Sequence, residues 1–493
     1  MNTKRKFLKK NWRGFIRGMT LTLAVTAALC FVGCNGNDEN QVAVPPFDPS
    51  QPVVISDFTP KEGSVGQRLL IYGQNFGNDT AIVRVFIGGK EAKIIGIGGD
   101  IIYCVVPEKA FAGNIEVRIG GGENPVVAAA STVFAYQRKM VVSNLFGFKN
   151  ERDDQAGGVF GDFSVATPFK GNDTWMIFDP LVPHHLYIFF DGAAIGQIDL
   201  QERMFNLIVR KAVFDRVRAA SFTLDGQHIV AGDDRGGTSD PSTIIMSRAN
   251  GFKDPQVLTR YKQCNGAAIH PVNGEMYFNS YERGQVFRFD IANAQYFGGT
   301  LGPTNYEELF KIQDVNWEFN IRIHPSGNYA YIVVLNQHYI LRTDYNWNTK
   351  KFSSPYLVCG EAKASGYNDG VGSAARLNRP YQGVFVKNPE YAGKDDEYDF
   401  YFTDCNNHCI RSLTPDGLVS TFAGRGSTGL NANFFGYVDG DLRLEARFYN
   451  PTGLAYDEAN NTFYVGDDEN RRIRKIAMEE MDEEPETEEG TDD

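Results

Sequence analysis

The sequence predicts an all-β protein that folds as two units, a small antiparallel sandwich followed by a closed ring of six sheets. Aromatic residues make up 13% of the 493 residues and glycine occurs 51 times, against 22% charged residues, which favours strands joined by tight turns. A strand-rich unit is also repeated near the C-terminus. At this length, two folded units with tails are expected rather than one domain.

The repeated unit lies between residues 360 and 476. Its elements are Asp369-Gly370, Ala374, Leu377, Pro380, Asn407-His408 and Ile410-Arg411 in the first copy and Asp439-Gly440, Ala446, Phe448, Pro451, Asn470-Arg471 and Ile473-Arg474 in the second. A repeat of roughly 50 residues with several short strands is typical of a β-propeller blade. The unit resembles the NHL repeat, and this resemblance implies an NHL-type propeller in which the Asn-His-x-Ile-Arg element forms the turn between the second and third strands.

Four weaker units precede the two clear copies, so residues 138–477 predict a six-bladed propeller. Each weaker unit consists of an apolar strand, a turn and an aromatic strand, beginning at residues 176–180, 220–226, 267–271 and 321–325. The last blade has no outer strand of its own after Ile476. Residues 139–147 resemble the outer strand at 418–424, so we expect them to supply the missing strand and close the ring.

Residues 52–136 predict the sandwich. Short strands at 69–72, 82–87, 101–106 and 114–119 are separated by turn residues, a pattern typical of small antiparallel sandwiches. The order P-x2-I-x2-F-x-P, G-x2-G, G-x-N-F-G and a closing V-P resembles the IPT/TIG immunoglobulin-like domain along nearly its whole length. The resemblance implies a spacer or interaction module without chemistry of its own.

Residues 1–33 predict a signal peptide, because seven basic residues precede an apolar run too short to span a membrane comfortably. The run ends in Phe-Val-Gly-Cys, which resembles a bacterial lipobox and implies lipidation of Cys34. An uncleaved anchor or ordinary secretion is the alternative. Residues 34–51 predict a lipidated tether. Its acidic start resembles the export signal of Bacteroidetes lipoproteins, which implies an outer-membrane, lipid-anchored protein facing the cell exterior.

The charge of the chain argues against nucleic acid as a partner. The formal net charge is −12, and removal of the basic signal peptide would make the mature chain more acidic, so phosphate backbones would be repelled. Residues 478–493 contain ten acidic residues and show no apolar periodicity. They predict a disordered acidic tail.

No metal site or cofactor is predicted. The five cysteines after Cys34 are scattered, and Cys405 and Cys409 bracket a tight turn, where we expect two buried thiols, with a disulfide as the alternative. His270 and His324 each precede a proline at the turn between the first two strands of a blade. We expect both to cap these turns rather than to bind a metal.

A ligand site is expected on the propeller face that carries the loops between blades and the turns between the second and third strands. Exposed aromatic rings there suit sugars, because a pyranose has a C–H face to stack and a rim of hydroxyl groups to hydrogen-bond. Each ring could instead cap the packing of the blades. The candidate glycan-binding residues are Trp175, Tyr281, Trp317, Tyr367, Phe434, Tyr437, Asp467 and Arg471.

These patterns favour a non-catalytic surface lipoprotein that binds carbohydrate for polysaccharide utilisation, together with an outer-membrane oligosaccharide importer. One alternative is a metal-dependent propeller enzyme of the lactonase or lyase type. Asn265, Asn320 and Gln382 are expected at the starts of inner strands, but no carboxylate or histidine is expected at that level, so a metal would be held weakly. The second alternative is a protein-binding envelope scaffold. Motifs of serine hydrolases, P-loop proteins and zinc proteases do not occur.

Overall fold

A computed structural model of the protein describes residues 44–120, 124–148, 157–211, 214–234, 241–280, 282–291, 306–312, 318–426 and 433–480. These ranges contain strands and short 3-10 helices and no α-helix, so the all-β prediction is confirmed. None of their helices has the length and apolar character needed to cross a membrane. The 3-10 helices span Arg248–Asn250, Leu335–Gln337, Gly372–Ala374, Pro389–Tyr391, Cys405–Asn407 and Asp468–Asn470.

The N-terminal sandwich owes its core to alternation along its strands. In β4, Val83, Val85 and Ile87 are buried, whereas Arg84 between them is exposed. The strands are β1 (Val54–Thr59), β2 (Glu62–Gly63), β3 (Arg68–Gly77), β4 (Val83–Ile87), β5 (Lys90–Ile97), β6 (Gly99–Val105), β7 (Ile115–Ile119), β8 (Val126–Ala129) and β9 (Ala135–Tyr136). Seven of them pair in the order β1-β3-β6-β5-β4-β7-β8, and β2 pairs with β9 in parallel.

Six antiparallel sheets form the blades of the propeller, and we label their strands a to d from the centre outward. Blade 1 contains β11 (Gly161–Asp162), β12 (Thr174–Phe178), β13 (His185–Phe190), β14 (Ala194–Asp199) and β15 (Met204–Arg210). Blade 2 contains β16 (Val217–Phe222), β17 (His228–Asp233), β18 (Pro241–Ser247) and β19 (Gln256–Arg260). Blade 3 contains β20 (Ala267–Ile269), β21 (Met276–Ser280), β22 (Gln285–Phe289) and β23 (Tyr306–Lys311). In blade 1 the short β11 pairs with the outer edge of β15.

Blade 4 contains β24 (Phe319–Ile323), β25 (Tyr329–Val334), β26 (Tyr339–Asn346), β27 (Lys351–Phe352) and β28 (Tyr356–Gly360). Blade 5 contains β29 (Gly370–Val371), β30 (Pro380–Lys387), β31 (Tyr398–Asp404), β32 (Cys409–Leu413) and β33 (Leu418–Gly424). Blade 6 contains β10 (Met140–Phe146), β34 (Gly440–Asp441), β35 (Pro451–Asp457), β36 (Thr462–Asp467) and β37 (Arg472–Met478). Every residue of β25 is buried, because neighbouring blades cover both faces of this strand. The inner strands β12, β16, β20, β24, β30 and β35 contact one another in a closed circle.

The ring is closed as the sequence predicts. Strand β10 pairs antiparallel with β37, and Val142 lies opposite Ile476 in this register. Val142 is fully buried in a cluster with Phe463, Val465 and Ile476. The outer strand of blade 6 therefore comes from the N-terminal side of the propeller, and the predicted closure is confirmed.

The end of β37 joins the propeller to the sandwich. Glu479 is 2% exposed, and its carboxylate accepts hydrogen bonds from the Tyr136 hydroxyl and from the backbone N–H groups of Lys109 (3.3 Å) and Lys139 (3.4 Å). The Nε of Arg138 donates to the Glu479 carbonyl at 2.9 Å. Residue 479 thus belongs to the fold rather than to the predicted acidic tail, because its charge is satisfied between the two domains. Residues 481–493 lie outside the described residues.

The cysteines and histidines discussed above are structural. Cys405 and Cys409 are buried free thiols. His270 Nδ1 accepts hydrogen bonds from the backbone N–H groups of Val272 (3.2 Å) and Asn273 (3.3 Å), so it caps its turn as predicted. Burial lowers the pKa of His270, which keeps the ring neutral and its Nδ1 available as an acceptor.

Candidate functional site

Two of the predicted glycan-binding residues, Asp467 and Arg471, are buried in blade 6. Asp467 Oδ1 accepts the Tyr449 N–H at 2.7 Å, and its Oδ2 lies 2.9 Å from Arg474 Nη1. Arg471 has a left-handed backbone (φ 54°), and its Nη2 donates to the Gly157 carbonyl at 2.7 Å. The expectation that these two side chains face a ligand is wrong, because both are buried and their polar groups are already bonded to other parts of the propeller.

The same arrangement occurs in blade 5 and explains the repeated motif. Arg411 Nη1 lies 2.9 Å from Asp404 Oδ2, and Arg411 Nη2 lies 2.7 Å from Asp369 Oδ1. Both Arg411 and Asp404 are fully buried. Asn407 Nδ2 donates to Asp404 Oδ2 at 2.7 Å. In blades 5 and 6 the repeated Asp-Gly, Asn and Ile-Arg elements therefore build an ion-pair network that ties the loop entering the blade to its strands b and c.

The remaining predicted residues divide into buried, undescribed and exposed ones. Trp175 is 2% exposed, and its Nε1 donates to the Ala220 carbonyl of the next blade at 3.0 Å. It packs within the core instead of presenting an open ring, so its predicted exposure is wrong. Tyr281, Trp317 and Cys34 lie outside the described residues.

The structure brings Tyr367 and Phe434 together at the junction of blades 5 and 6. The guanidinium of Arg425 lies between the two rings, with its Cζ 3.7 Å from the centre of Tyr367 and 4.0 Å from the centre of Phe434. Phe435 extends this group, since its ring centre lies 4.9 Å from that of Tyr449. We call Tyr367, Arg425, Phe434, Phe435 and Tyr449 the blade 5–6 aromatic surface.

The rings of this surface are held in place but not covered. Tyr367 is 37% exposed, and its hydroxyl is 2.9 Å from Thr421 Oγ1. His408 lies beneath Phe435 at 5.0 Å between ring centres, and burial together with the Arg425 charge lowers the pKa of His408 to about 4. A neutral His408 accepts the Asn450 N–H at 3.1 Å. The histidine thus supports the aromatic surface and carries no charge near neutral pH.

Tyr437 occupies the position in the blade 6 repeat that Tyr367 occupies in the blade 5 repeat. Its ring stacks on different arginines. It is 41% exposed, and its ring centre is 3.7 Å from the Cζ of Arg472. Its hydroxyl donates to Asp439 Oδ2 at 3.1 Å. The Arg474 guanidinium also lies 4.7 Å from this ring centre, so Tyr437 is held in place by two stacked cations.

A cleft between the sandwich and the propeller adjoins the aromatic surface. Its volume is about 500 Å³, within the roughly 300–1,000 Å³ of small-molecule pockets. Arg425 lines both the cleft and the aromatic surface. The other charged residues of the lining are Arg68, Glu91, Lys93, Arg443 and Glu445. Four cations face two carboxylates, so this cleft is locally positive on an otherwise acidic protein.

Charged groups also surround the central channel on the b–c face. Arg218 is 2% exposed and lies 3.0 Å from Asp234 Oδ2 and 3.3 Å from Glu318 Oε1. Arg379 Nη1 lies 3.0 Å from Asp173 Oδ1. The expectation that no carboxylate lies at this level is wrong, because the b–c turn places Asp234 beside the start of an inner strand.

These groups do not fit a resident divalent cation. The carboxylates Asp173, Asp234 and Glu318 already pair with guanidinium groups, which would repel a metal ion. Gln382 Oε1 accepts backbone N–H groups of Met176 (2.8 Å) and Leu454 (3.0 Å), which links blades 1, 5 and 6. These three carboxylates are therefore already paired, and the Gln382 hydrogen bonds stabilise the ring.

One other grouping in the described part of the chain has the composition of a metal site. His184, His185 and Asp199 offer ligand atoms within 4.8 Å of one another. Asp199 Oδ1, however, accepts the N–H groups of Gln201 (3.1 Å) and Glu202 (3.0 Å). This carboxylate caps the c–d turn of blade 1.

Comparison with known proteins gives the relationships of the chain. Residues 52–136 match the IPT/TIG domain family. An auxiliary nutrient binding protein from Bacteroides thetaiotaomicron is 46% identical, with a TM-score of 0.77 over 88% of this chain and 100% of the other. The chain belongs to the same family as this protein. We call it the TIG–propeller family, because the aligned region includes both domains.

Two further members show how this family has been described. An auxiliary nutrient binding protein from Bacteroides ovatus is 37% identical to this TIG–propeller protein, with a TM-score of 0.65 over 88% and 100% of the two chains. A second Bacteroides thetaiotaomicron member, described as a candidate phosphatase, is 45% identical, with a TM-score of 0.76 over 90% and 100%. No functionally curated protein matches the chain.

Sequence reasoning missed Arg425, the residue that joins the aromatic surface to the cleft. Its only sequence signal is its position directly after β33, at the start of the loop that carries Phe434. An arginine at a loop start is usually a solvated charge. Its stacking between two rings depends on a loop from the previous blade, which the sequence alone does not place.

Proposed function

We propose that this TIG–propeller protein is a non-catalytic, surface-exposed nutrient-binding lipoprotein that captures carbohydrate on the blade 5–6 aromatic surface. The observation that carries the proposal is the stack of Tyr367, Arg425 and Phe434, which fixes the Tyr367 ring at the surface with 37% of the residue exposed. Such rings bind the C–H faces of sugars without requiring a charged ligand. The descriptions of the 46% and 37% identical relatives as auxiliary nutrient binding proteins support a binding role.

The neighbouring cleft favours a ligand longer than one sugar. A chain that stacks on Tyr367 can extend past Arg425 into the space of about 500 Å³ between the domains. Polar side chains there, such as Arg68 and Lys93, can donate hydrogen bonds to hydroxyl groups. We infer that captured oligosaccharide is passed to an outer-membrane importer. The paired charges of the channel give less support to a metal-dependent lactonase or lyase.

The double substitution Tyr367→Ala/Phe434→Ala tests the site. We expect it to weaken binding of a recognised polysaccharide at least about tenfold, or about 1.4 kcal/mol, because both stacking faces are removed. Affinity electrophoresis against a panel of neutral and acidic polysaccharides would identify the ligand, and calorimetry would give the affinities.

Tyr356→Ala is the matched control, because Tyr356 is 50% exposed and lies on the outer strand of blade 4. It should bind as the unmodified protein does. Unchanged affinity of the double variant would remove the aromatic surface from the site. Failure of the unmodified protein to bind any polysaccharide of the panel would remove carbohydrate as the ligand.

The lipid anchor has its own test. Cys34→Ser is expected to abolish incorporation of a labelled fatty acid into the protein in Bacteroides cells, because no thiol remains at the lipobox to carry the lipid. Cys30→Ser, four residues upstream in the predicted signal peptide, is the control and should still be labelled. Protease accessibility of the unmodified protein on intact cells would show whether it faces outward. Labelling of Cys34→Ser to the level of the unmodified protein would contradict the proposed anchor.

A further inference from the structure

The central channel has a second mouth, at the turns between strands a and b, which opens on the propeller face opposite the aromatic surface. The ends of five of the six inner strands line a cavity there of about 370 Å³. This volume is enough for a small molecule. We call this cavity the a–b mouth and define it by Phe178, Phe222, Arg322, Phe385, Tyr456 and Glu458.

Arg322 is the cation of the a–b mouth, and it has no protein partner among the described residues. Its Nε is buried without a hydrogen bond, and its two terminal nitrogens form no hydrogen bond or ion pair with this part of the chain. The Cζ of Arg322 lies 5.3 Å from the centre of the Trp175 ring, over which the guanidinium stacks. Burial lowers the pKa of Arg322 to about 10, so the group is still charged at neutral pH.

The buried arginines of the propeller differ from Arg322, which is partly exposed. The Nε atoms of Arg218, Arg411 and Arg474 also lack partners, but the terminal nitrogens of each pair with carboxylates at 3.0 Å or less. A buried guanidinium without a counter-ion destabilises a fold. The Arg322 side chain is partly exposed to the cavity, so an anionic ligand there can supply the counter-ion that the paired arginines find within the chain.

The surroundings of Arg322 indicate what accompanies the anionic group. Phe178, Phe222, Phe385 and Tyr456 are half-buried and place aromatic rings around the cavity, and Glu458 is the one carboxylate of its lining. A guanidinium fork accepts a carboxylate in two parallel hydrogen bonds. The aromatic walls favour an apolar or ring-shaped body over a fully hydrated ion.

We propose that the a–b mouth is a second binding site, which takes a small carboxylate-bearing molecule with a ring-shaped body, held by Arg322 and the surrounding aromatic rings. This proposal does not depend on the proposed carbohydrate site, because the two sites lie on opposite faces and share no residue. The NHL-type motif accounts for residues at the b–c turns, whereas the proposed site would give the a–b mouth of the channel a role.

Titration calorimetry with benzoate, glucuronate and inorganic phosphate tests the proposal. We expect benzoate or glucuronate to bind the unmodified protein, and Arg322→Gln to weaken that binding at least tenfold. Arg342→Gln is the matched control: Arg342 is in the same blade and also stacks on a ring, that of Tyr329 at 3.8 Å, but pairs with Asp344 at 2.8 Å. It should bind as the unmodified protein does.

A stability measurement separates a binding role from a structural one. Arg322→Met should leave the melting temperature of the ligand-free protein unchanged or raised, because it removes a partly buried charge that has no counter-ion in the described chain. A lowered melting temperature would make Arg322 a structural residue and overturn the proposal. So would the absence of carboxylate binding to the unmodified protein, retention of full affinity by Arg322→Gln, or equal affinity for inorganic phosphate.

Discussion

Val142→Asp is expected to prevent stable closure of the propeller. Val142 is fully buried, lies opposite Ile476 in β37 and packs against Phe463 and Val465. An aspartate there would place an uncompensated carboxylate among apolar side chains, which costs about 4 kcal/mol or more. Because β10 is the strand that joins the two ends of the ring, its loss would also leave the edge of β37 unpaired.

Urea denaturation followed by tryptophan fluorescence, with limited proteolysis, would measure this effect. Asn144→Asp is the matched control, since Asn144 lies two residues along β10 and is exposed. It should shift stability by no more than about 0.5 kcal/mol. If Val142→Asp had the stability of this control, the paired arrangement of β10 and β37 would not be what holds the ring closed.

Arg474→Met is the second substitution with a large expected effect, about 3–5 kcal/mol of lost stability. Arg474 is fully buried and pairs with Asp467 at 2.9 Å and with Asp439, and it donates to the Val438 carbonyl at 2.9 Å. Methionine fills a similar volume but leaves the Asp467 carboxylate buried without its cation. The loop that carries Asp439 would lose its attachment to strand c.

Arg472→Met is the control for this substitution. Arg472 lies on the same strand, is only partly buried, and stacks on Tyr437 at 3.7 Å. Its loss should cost about 1 kcal/mol or less. Equal urea midpoints for Arg472→Met and Arg474→Met would show that the repeated network contributes no more than a surface stack.

Arg411 and Arg474 show how much of the buried network can be predicted from the sequence. The repeat places Arg411 and Arg474 at equivalent positions, so a shared structural role could be expected from the sequence. The repeat does not say that Asp467 is buried, because burial comes from Asn470 and the loop from Gly436, which fold over it. The sequence therefore predicts Asp467 as a ligand-binding residue, although its carboxylate oxygens are already hydrogen-bonded within blade 6.

Trp175 and Tyr367 show the same limit for aromatic rings. Both lie near the face where ligands gather in propellers, and nothing local distinguishes them. Trp175 is covered because the Ala220 carbonyl of the next blade accepts its indole N–H at 3.0 Å. Tyr367 is only partly covered: the guanidinium groups of Arg425 and Arg411 lie 3.7 Å and 5.2 Å from its ring centre, and the residue stays 37% exposed.

The sequence by itself determined the fold class, the six blades, the IPT/TIG domain and the strand that closes the ring, because each follows from local alternation, turn residues and a repeated unit. Only the tertiary structure decided which polar and aromatic side chains remain available to a ligand. Availability depends on partners that are distant in the sequence or supplied by loops: Arg322 and Arg474 each directly follow an isoleucine within a strand, yet only Arg474 meets carboxylates in the described chain. The physical reason is that pairing and burial are properties of the assembled ring and not of any one strand.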